Sequence, residues 1–319
     1  MTVQNKQKPS LSTKHLLRIT DLTQEEIKGL IEDAIVLKRE QQKGLFHHHL
    51  QGKTLGMIFE KSSTRTRVSF EVGMKQLGGD ALFLSSRDIQ LERGETIADT
   101  AKVLSRYVDG LMIRTFAHET IEEFAKHSDV PVINGLTDPH HPTQVLADLM
   151  TIYEKKGKLR GLKLCYIGDG NNNMTHSLLE GAALCGIEMT LASPGGYEPN
   201  PAILKNAQKV AAQQGTSIEM YDHPTEAIKD ADIVVTDVWA SMGEEGEAEA
   251  RKSIFSAFQV NQELTSYAKP DYLFLHCLPA HRGEEVTADV IDGKHSVVFD
   301  EAENRLHAQK ALMKALMGV

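Results

Sequence analysis

Thr54-Leu55-Gly56-Met57-Ile58-Phe59 runs into Glu60-Lys61-Ser62-Ser63-Thr64-Arg65-Thr66-Arg67, and a segment reaching Leu77 follows before Gly78-Gly79. The first six residues are a short apolar run of buried-strand length, and the stretch from Thr64 to Leu77, stopped by two glycines, reads as a helix. The same rhythm recurs along the chain. Ala81 to Ser85, Gly110 to Arg114, Pro131 to Asn134, Leu162 to Gly168, Glu188 to Ala192, Ile233 to Asp237 and Tyr272 to Leu278 are further strand candidates with helical patterns between them. Strands alternating with helices predict an α/β fold, with parallel sheet flanked by helices.

The chain has 319 residues, about twice a typical domain, so two domains with a site in the cleft between them is the expectation. A helix from Pro142 to Tyr153, started by a proline in its first turn, carries an apolar stripe at Val145, Leu146, Leu149, Ile152 and Tyr153. It runs into Lys155-Lys156-Gly157-Lys158, and the domain boundary is placed near there, giving 1–150 and 151–302. Met242 to Lys252, rich in Glu and Gly, reads as a mobile surface loop, and His47-His48-His49 as a solvated loop rather than a metal site.

Hydrophobic residues at 41% and charged residues at 25% are ordinary for a folded globular chain. Lys and Arg number 35 against 44 Asp and Glu, a net charge of -9, which is the wrong balance for tracking nucleic-acid phosphates. An anionic substrate would therefore need a local cluster of positive groups. Cys165, Cys185 and Cys277 are scattered, with no spacing that suggests zinc or a disulfide framework, which fits a reducing cytoplasm. No apolar run reaches the ~18 residues of a membrane span, so neither membrane nor nucleic acid is expected as a partner.

The cluster has candidates. Ser63-Thr64-Arg65-Thr66 sits where a strand hands over to a helix, whose first N-H groups lack internal partners and attract an oxyanion, while hydroxyls and the Arg65 fork add donors. Ser and Thr are also ordinary helix caps, and Arg67 could be a plain surface residue. His140-His141-Pro142-Thr143-Gln144 is a second loop feeding a helix start, where a positive dipole favours a neutral imidazole. Arg114 closes a strand at its carboxyl end, where open α/β sheets bind ligands.

Together these motifs resemble the carbamoyl phosphate site of the aspartate and ornithine carbamoyltransferase family. The resemblance implies that Ser63, Thr64, Arg65 and Thr66 bind phosphate at the helix start, while Thr66, Arg114 and His141 surround the carbamoyl oxygen. Pro142, Thr143 and Gln144 belong to the same motif. Gln90, in Asp88-Ile89-Gln90-Leu91-Glu92-Arg93-Gly94-Glu95-Thr96, would reach the ligand from a neighbouring subunit. Arg305, in Glu303-Asn304-Arg305-Leu306, would complete the pocket, with a C-terminal helix over 303–319 packing back on the first domain.

Gly168-Asp169-Gly170 after a strand invites a dinucleotide reading, but Asn173 stands where a third glycine is needed and Leu191-Ala192-Ser193-Pro194 lacks the acid. Similar transferases use an asparagine at this turn. Relatives commonly carry two, whereas Asn171-Asn172-Asn173 has three; counting back from His176-Ser177 assigns the role to Asn173, with Asn172 in reserve. Asp237-Val238-Trp239-Ala240-Ser241-Met242-Gly243 resembles the Asp-x-x-x-Ser-Met-Gly loop of the family's ornithine branch, and His276-Cys277-Leu278-Pro279 its His-Cys-Leu-Pro hallmark. A lone Cys277 would more often be a buried core thiol.

The resemblance thus implies transfer of the carbamoyl group of carbamoyl phosphate to the side-chain amine of ornithine, giving citrulline and phosphate. The other acceptors in view are putrescine, N-acetylornithine and aspartate. Arg65, Arg114, His141 and Cys277 would be catalytic, Cys277 as a thiolate proton acceptor. Cys277 and Leu278 would also line the carbamoyl phosphate pocket, while Asn173, Asp237, Ser241 and Met242 hold ornithine. Because a carboxylate would keep the reacting amine protonated, Asp237 is expected to pair with the α-ammonium. No cofactor and no metal is implied, and the family's assembly implies a homo-oligomer, a trimer or a multiple of trimers.

Overall fold

The computed structural model describes residues 11–85, 94–240, 246 and 248–318. Gln90, Ser241 and Met242 lie outside them.

Chain contacts divide the protein into two units. The first runs to Thr137 and takes in the chain from Leu306 onward; the second is Asp138–Arg305. In the first, α1 (Gln24–Gln42) precedes β1 (Thr54–Phe59), α2 (Thr64–Gln76), β2 (Asp80–Ser85), α3 (Ile97–Leu104), β3 (Gly110–Arg114), α4 (His118–His127) and β4 (Val132–Leu136). The sheet is parallel, ordered β2-β1-β3-β4, with Phe59 opposite Arg114 in the β1–β3 register. Ile58, Leu111, Ile113, Ile121, Phe124 and Val132 pack one face of that sheet against α3 and α4.

The second unit contains α5 (Pro142–Lys156), β5 (Lys163–Ile167), α6 (Asn173–Cys185), β6 (Glu188–Ala192), α7 (Pro201–Gln213), β7 (Ile218–Tyr221), α8 (Pro224–Ala227) and β8 (Ile233–Val235). After them come α9 (Ala248–Phe255), α10 (Gln262–Thr265), β9 (Leu273–Leu275), α11 (Ala288–Ile291) and the start of α12 (Val298–Met317). Its parallel sheet is ordered β7-β6-β5-β8-β9. Cys165, Ile167, Val234 and Phe274 of its strands share a core with Val260, Val286, Val290 and Ile291. No helix among the described residues is long and apolar enough to cross a membrane.

Two sequence expectations are corrected here. By chain contacts the second unit begins at Asp138, so α5, buried at every residue from Pro142 to Ile152, groups with it and not with the expected first domain 1–150. Its polar members are bonded to the start of α12: Gln144 to Glu301 at 3.1 Å, and Thr151 and Glu154 to Asn304 at 2.9 and 2.7 Å. For the same reason the C-terminal helix begins at Val298 rather than 303, and only its part from Leu306 belongs to the first unit. There Lys310 Nζ donates to Gln76 Oε1 at 2.9 Å and Met313 crowds Gly73, so this part packs on α2.

The second correction concerns loops. The Met242 to Lys252 stretch holds the first turns of α9 at its end, and Arg251 is buried there, its Nη1 2.7 Å from Asp169 Oδ2 and 2.8 Å from Trp239 O. His47, read as solvated, is buried with Nδ1 3.2 Å from Glu40 Oε2. Strand β7 was not anticipated.

In an open sheet, ligands collect where strand order reverses, outside the carboxyl ends of the strands. The reversal lies between β1 and β3 in the first sheet and between β5 and β8 in the second. Each is followed by one of the sequence motifs.

Candidate active site

At the first reversal, Ser63 caps α2 by accepting a hydrogen bond from the Thr66 backbone N-H at 3.2 Å. A helix start ordinarily draws acids, which its dipole stabilises. The first turn of α2 has none and carries Arg65 and Arg67 instead, so dipole and guanidinium charge add where helix stability alone would have them cancel. Arg67 is engaged elsewhere, 3.9 Å over the Phe83 ring and 3.5 Å from Glu71. Arg114, buried at the end of β3, donates from Nη1 to Thr66 Oγ1 at 3.4 Å. The β3–β4 register slips between Ile113 and Arg114, a local irregularity of the kind that re-aims a side chain at a strand end. Ser63, Thr64, Arg65, Thr66 and Arg114 thus form one half-site suited to a small anion.

In the second unit, His141 occupies the cap position of α5 and Pro142 its first turn, again with no acid. The His141 backbone N-H donates to Ser177 Oγ at 2.8 Å, and Thr143 Oγ1 lies 3.5 Å from His141 Nδ1. Gln144 is fully buried: its Nε2 donates to Asp148 Oδ1 at 2.9 Å and to Glu301 Oε1 at 3.1 Å, while its Oε1 meets no donor among the described residues. A buried carbonyl without a partner costs roughly 1–3 kcal/mol, so Gln144 stands ready to accept from a ligand N-H. Burial raises the Asp148 carboxyl to about 7 and the Glu301 carboxyl well above its ordinary range; buried Arg305 opposes both rises. Sequence reasoning missed both acids, which sit on helices where a carboxylate usually faces water.

The second reversal gathers the remaining candidates. Asp237 follows β8 and is buried, accepting from the Val238 N-H at 2.8 Å and from Cys277 Sγ at 3.2 Å. Burial raises its carboxyl above the ordinary Asp range. The thiolate expected at Cys277 is corrected: burial, with Asp237 and Glu301 nearby, pushes this thiol well above its ordinary value, and it is a neutral donor to Asp237. His276 is tied on three sides: its N-H donates to Glu301 Oε2 at 2.9 Å, Nε2 faces Glu285 Oε1 at 3.2 Å, and Nδ1 accepts from the Leu278 N-H at 3.0 Å. Leu278 is held with φ +57°, a left-handed conformation that costs a leucine about 1–2 kcal/mol. Among the described residues, Asp237-His276-Cys277 and His281-Glu284-Glu285 place ligand-type atoms within 4.8 Å of one another. The first is already knitted by the Cys277–Asp237 bond, and Glu284 by Lys252 at 3.1 Å.

Asn172 and Asn173 now separate. Asn172 caps α6 and its amide is spent: Oδ1 accepts from the Thr175 N-H at 2.8 Å, and Nδ2 donates to Tyr166 OH at 3.2 Å and Asp169 O at 3.0 Å. Asn173, half-buried at the first helical position, has no side-chain bond of that kind. We expect Asn172→Ala to lower stability by about 2 kcal/mol, read as a drop in Tm, while Asn173→Ala leaves Tm within about a degree. The glycines flanking Asp169 have structural grounds: Gly168 has φ +136°, and a Cβ on Gly170 would lie 2.6 Å from Tyr197 O.

Two parallel sheets, each with an anion- or amine-seeking polar cluster at its reversal point, define a two-domain α/β enzyme of the ligand-transferring kind. The comparisons name it more narrowly. Residues 14–154 match the carbamoyl-P binding domain, and 160–316 the Asp/Orn binding domain, of aspartate/ornithine carbamoyltransferase. The ornithine carbamoyltransferase of Oceanobacillus iheyensis is 61% identical over 313 residues, 98% of this chain and 97% of that one. The anabolic ornithine carbamoyltransferase of Pyrococcus furiosus is 57% identical over 309 residues, 97% of this chain and 98% of that one. A solved structure of ornithine carbamoyltransferase from Pyrococcus furiosus superposes with a TM-score of 0.93 at 57% identity, covering 97% of this chain and 98% of that one. The chain belongs to the aspartate/ornithine carbamoyltransferase family.

Proposed function

We propose that this protein is an ornithine carbamoyltransferase, joining carbamoyl phosphate and L-ornithine to give L-citrulline and phosphate. The observation that carries the choice of acceptor is the buried Asp237 carboxylate, which accepts a hydrogen bond from Cys277. A carboxylate held out of water binds a charged ammonium strongly, and ornithine's α-ammonium supplies one that N-acetylornithine lacks. Asn173 is assigned to ornithine, with Ser241 and Met242 of the adjoining loop.

The donor half of the reading rests on the α2 start. Ser63, Thr64 and Arg65 take the phosphate; Thr66, Arg114 and His141 take the carbamoyl oxygen; Gln144 Oε1 accepts from the carbamoyl amine. Pro142, Thr143, Leu278, Arg305 and Gln90, the last from a neighbouring subunit, complete the pocket.

In the reaction the δ-amine nitrogen forms a bond to the carbonyl carbon, the carbonyl oxygen gains charge in a tetrahedral species, and the C-O bond to phosphate then breaks with its electron pair leaving on phosphate. Arg65 and the helix start stabilise that departing charge, and Thr66, Arg114 and His141 the oxygen. The amine must enter neutral. With an ordinary pKa of about 10.4 it is neutral about once in 2,500 molecules at pH 7, a cost of roughly 4–5 kcal/mol. A neutral Cys277 thiol does not add a second negative charge near that amine, which keeps the cost from rising. The proton released on attack goes to the phosphate, the basic group the reaction itself generates.

The active form is a homo-oligomer built on trimers, in the cytoplasm. The test is citrulline-type ureido product measured with ornithine, aspartate, putrescine and N-acetylornithine side by side. Ornithine should exceed the others by at least about a hundredfold in kcat/KM; comparable rates with another acceptor would reassign the substrate.

A further inference from the structure

We infer that Asp148 and Glu301 are positioning residues that fix which end of the Gln144 amide faces the donor substrate, and so let the protein tell a carbamoyl group from an acyl group of the same shape. The inference rests on the assignment of Gln144 to carbamoyl phosphate made above.

A glutamine side chain has a donor end and an acceptor end of nearly equal size, and nothing in its own shape decides which points where. Here two acids decide it. Gln144 Nε2 lies 2.9 Å from Asp148 Oδ1 and 3.1 Å from Glu301 Oε1, and both of those oxygens accept. Turning the amide over would set its carbonyl oxygen against them. The locked orientation leaves Oε1 buried without a donor among the described residues, aimed away from the acids. A ligand NH2 satisfies it; a methyl in the same place strands it.

The two acids are within hydrogen-bonding reach of each other, and Asp148 Oδ2 meets no donor among the described residues. Two carboxylates buried side by side cannot both ionise readily, so they share a proton. The charged groups facing the pair are Arg305, which favours an ionised Asp148, and Asp237, which opposes it. Glu301 also receives the His276 N-H at 2.9 Å, so the acid that sets Gln144 also anchors the backbone leading into Cys277.

The experiment compares carbamoyl phosphate with acetyl phosphate, which carries a methyl in place of the amine, and uses inorganic phosphate as a probe of the α2 cradle alone. In Asp148→Asn the amide can turn over. Its kcat/KM for carbamoyl phosphate should fall about tenfold or more, while inhibition by acetyl phosphate and by phosphate stays within about twofold. Glu301→Gln, which keeps an acceptor oxygen opposite Gln144 Nε2, should keep the preference within about threefold; Glu301→Ala should lose it, and serves in place of Asp148→Asn should that variant show no cooperative melting. Equal losses for carbamoyl and acetyl phosphate, or an unchanged preference in both Asp148→Asn and Glu301→Ala, would overturn the inference and leave the pair a packing feature. Absence of ureido product from the unaltered protein would instead defeat the functional reading itself.

Discussion

Arg65→Ala should lower kcat/KM for carbamoyl phosphate by about a thousandfold and remove measurable binding of phosphate in calorimetry, while the protein keeps its fold. The magnitude follows from losing a charged donor at the point where the leaving group gathers charge, worth about 3–4 kcal/mol in sites of this kind. Arg67, two residues on, is an internal control. It lies over Phe83 and beside Glu71, so Arg67→Ala should change kcat/KM severalfold at most. Similar losses in the two variants would mean that bulk positive charge, rather than the capped helix start, holds the anion.

Asp237→Asn should raise the KM for ornithine by about a hundredfold or more and alter that for carbamoyl phosphate by less than about threefold. Removing one member of a desolvated charge pair costs roughly 2–5 kcal/mol. Its pH dependence is a second signature. Burial raises this carboxyl above the ordinary Asp range, and only the ionised form pairs with an ammonium. Ornithine kcat/KM should therefore fall as pH drops through that raised value, at a higher pH than an exposed aspartate would give, and the Asn variant should lack this limb. Matching changes in both substrates would remove Asp237 from the acceptor site.

The strands of the first sheet are legible to within two residues, because each is a short apolar run bounded by turn residues; β1 and β3 match their expected limits, as does β6 of the second sheet. Strand β7 escaped because it is a four-residue edge strand in which only Ile218 is buried, too short to show a period. The end of the Met242 to Lys252 stretch was hidden by its Glu-rich composition: its ordering depends on the Arg251–Asp169 pair, between residues 82 apart in sequence. The site followed the same division. Ser63 to Thr66, Arg114 and His141 to Gln144 announce themselves as contiguous motifs at element junctions. Asp148 and Glu301 do not, since a helical acid becomes a buried one only through contacts that span 157 residues, from Gln144 to Glu301. The charge state of Cys277 was misread for a related reason, because its hydrogen-bond partner Asp237 is 40 residues away and the hallmark motif does not say what the thiol touches.

Leu278 shows what the arrangement demands of the whole molecule. A glycine there would relieve the left-handed backbone but would give up the packing of the leucine side chain against the core of the second unit. Side-chain burial thus offsets backbone strain at the end of a loop whose other members carry chemistry, so a change here disturbs packing and site together. Efforts to make a hardier catalyst from this chain are better directed at surface turns far from that loop, where relaxing the backbone gives up nothing in rate.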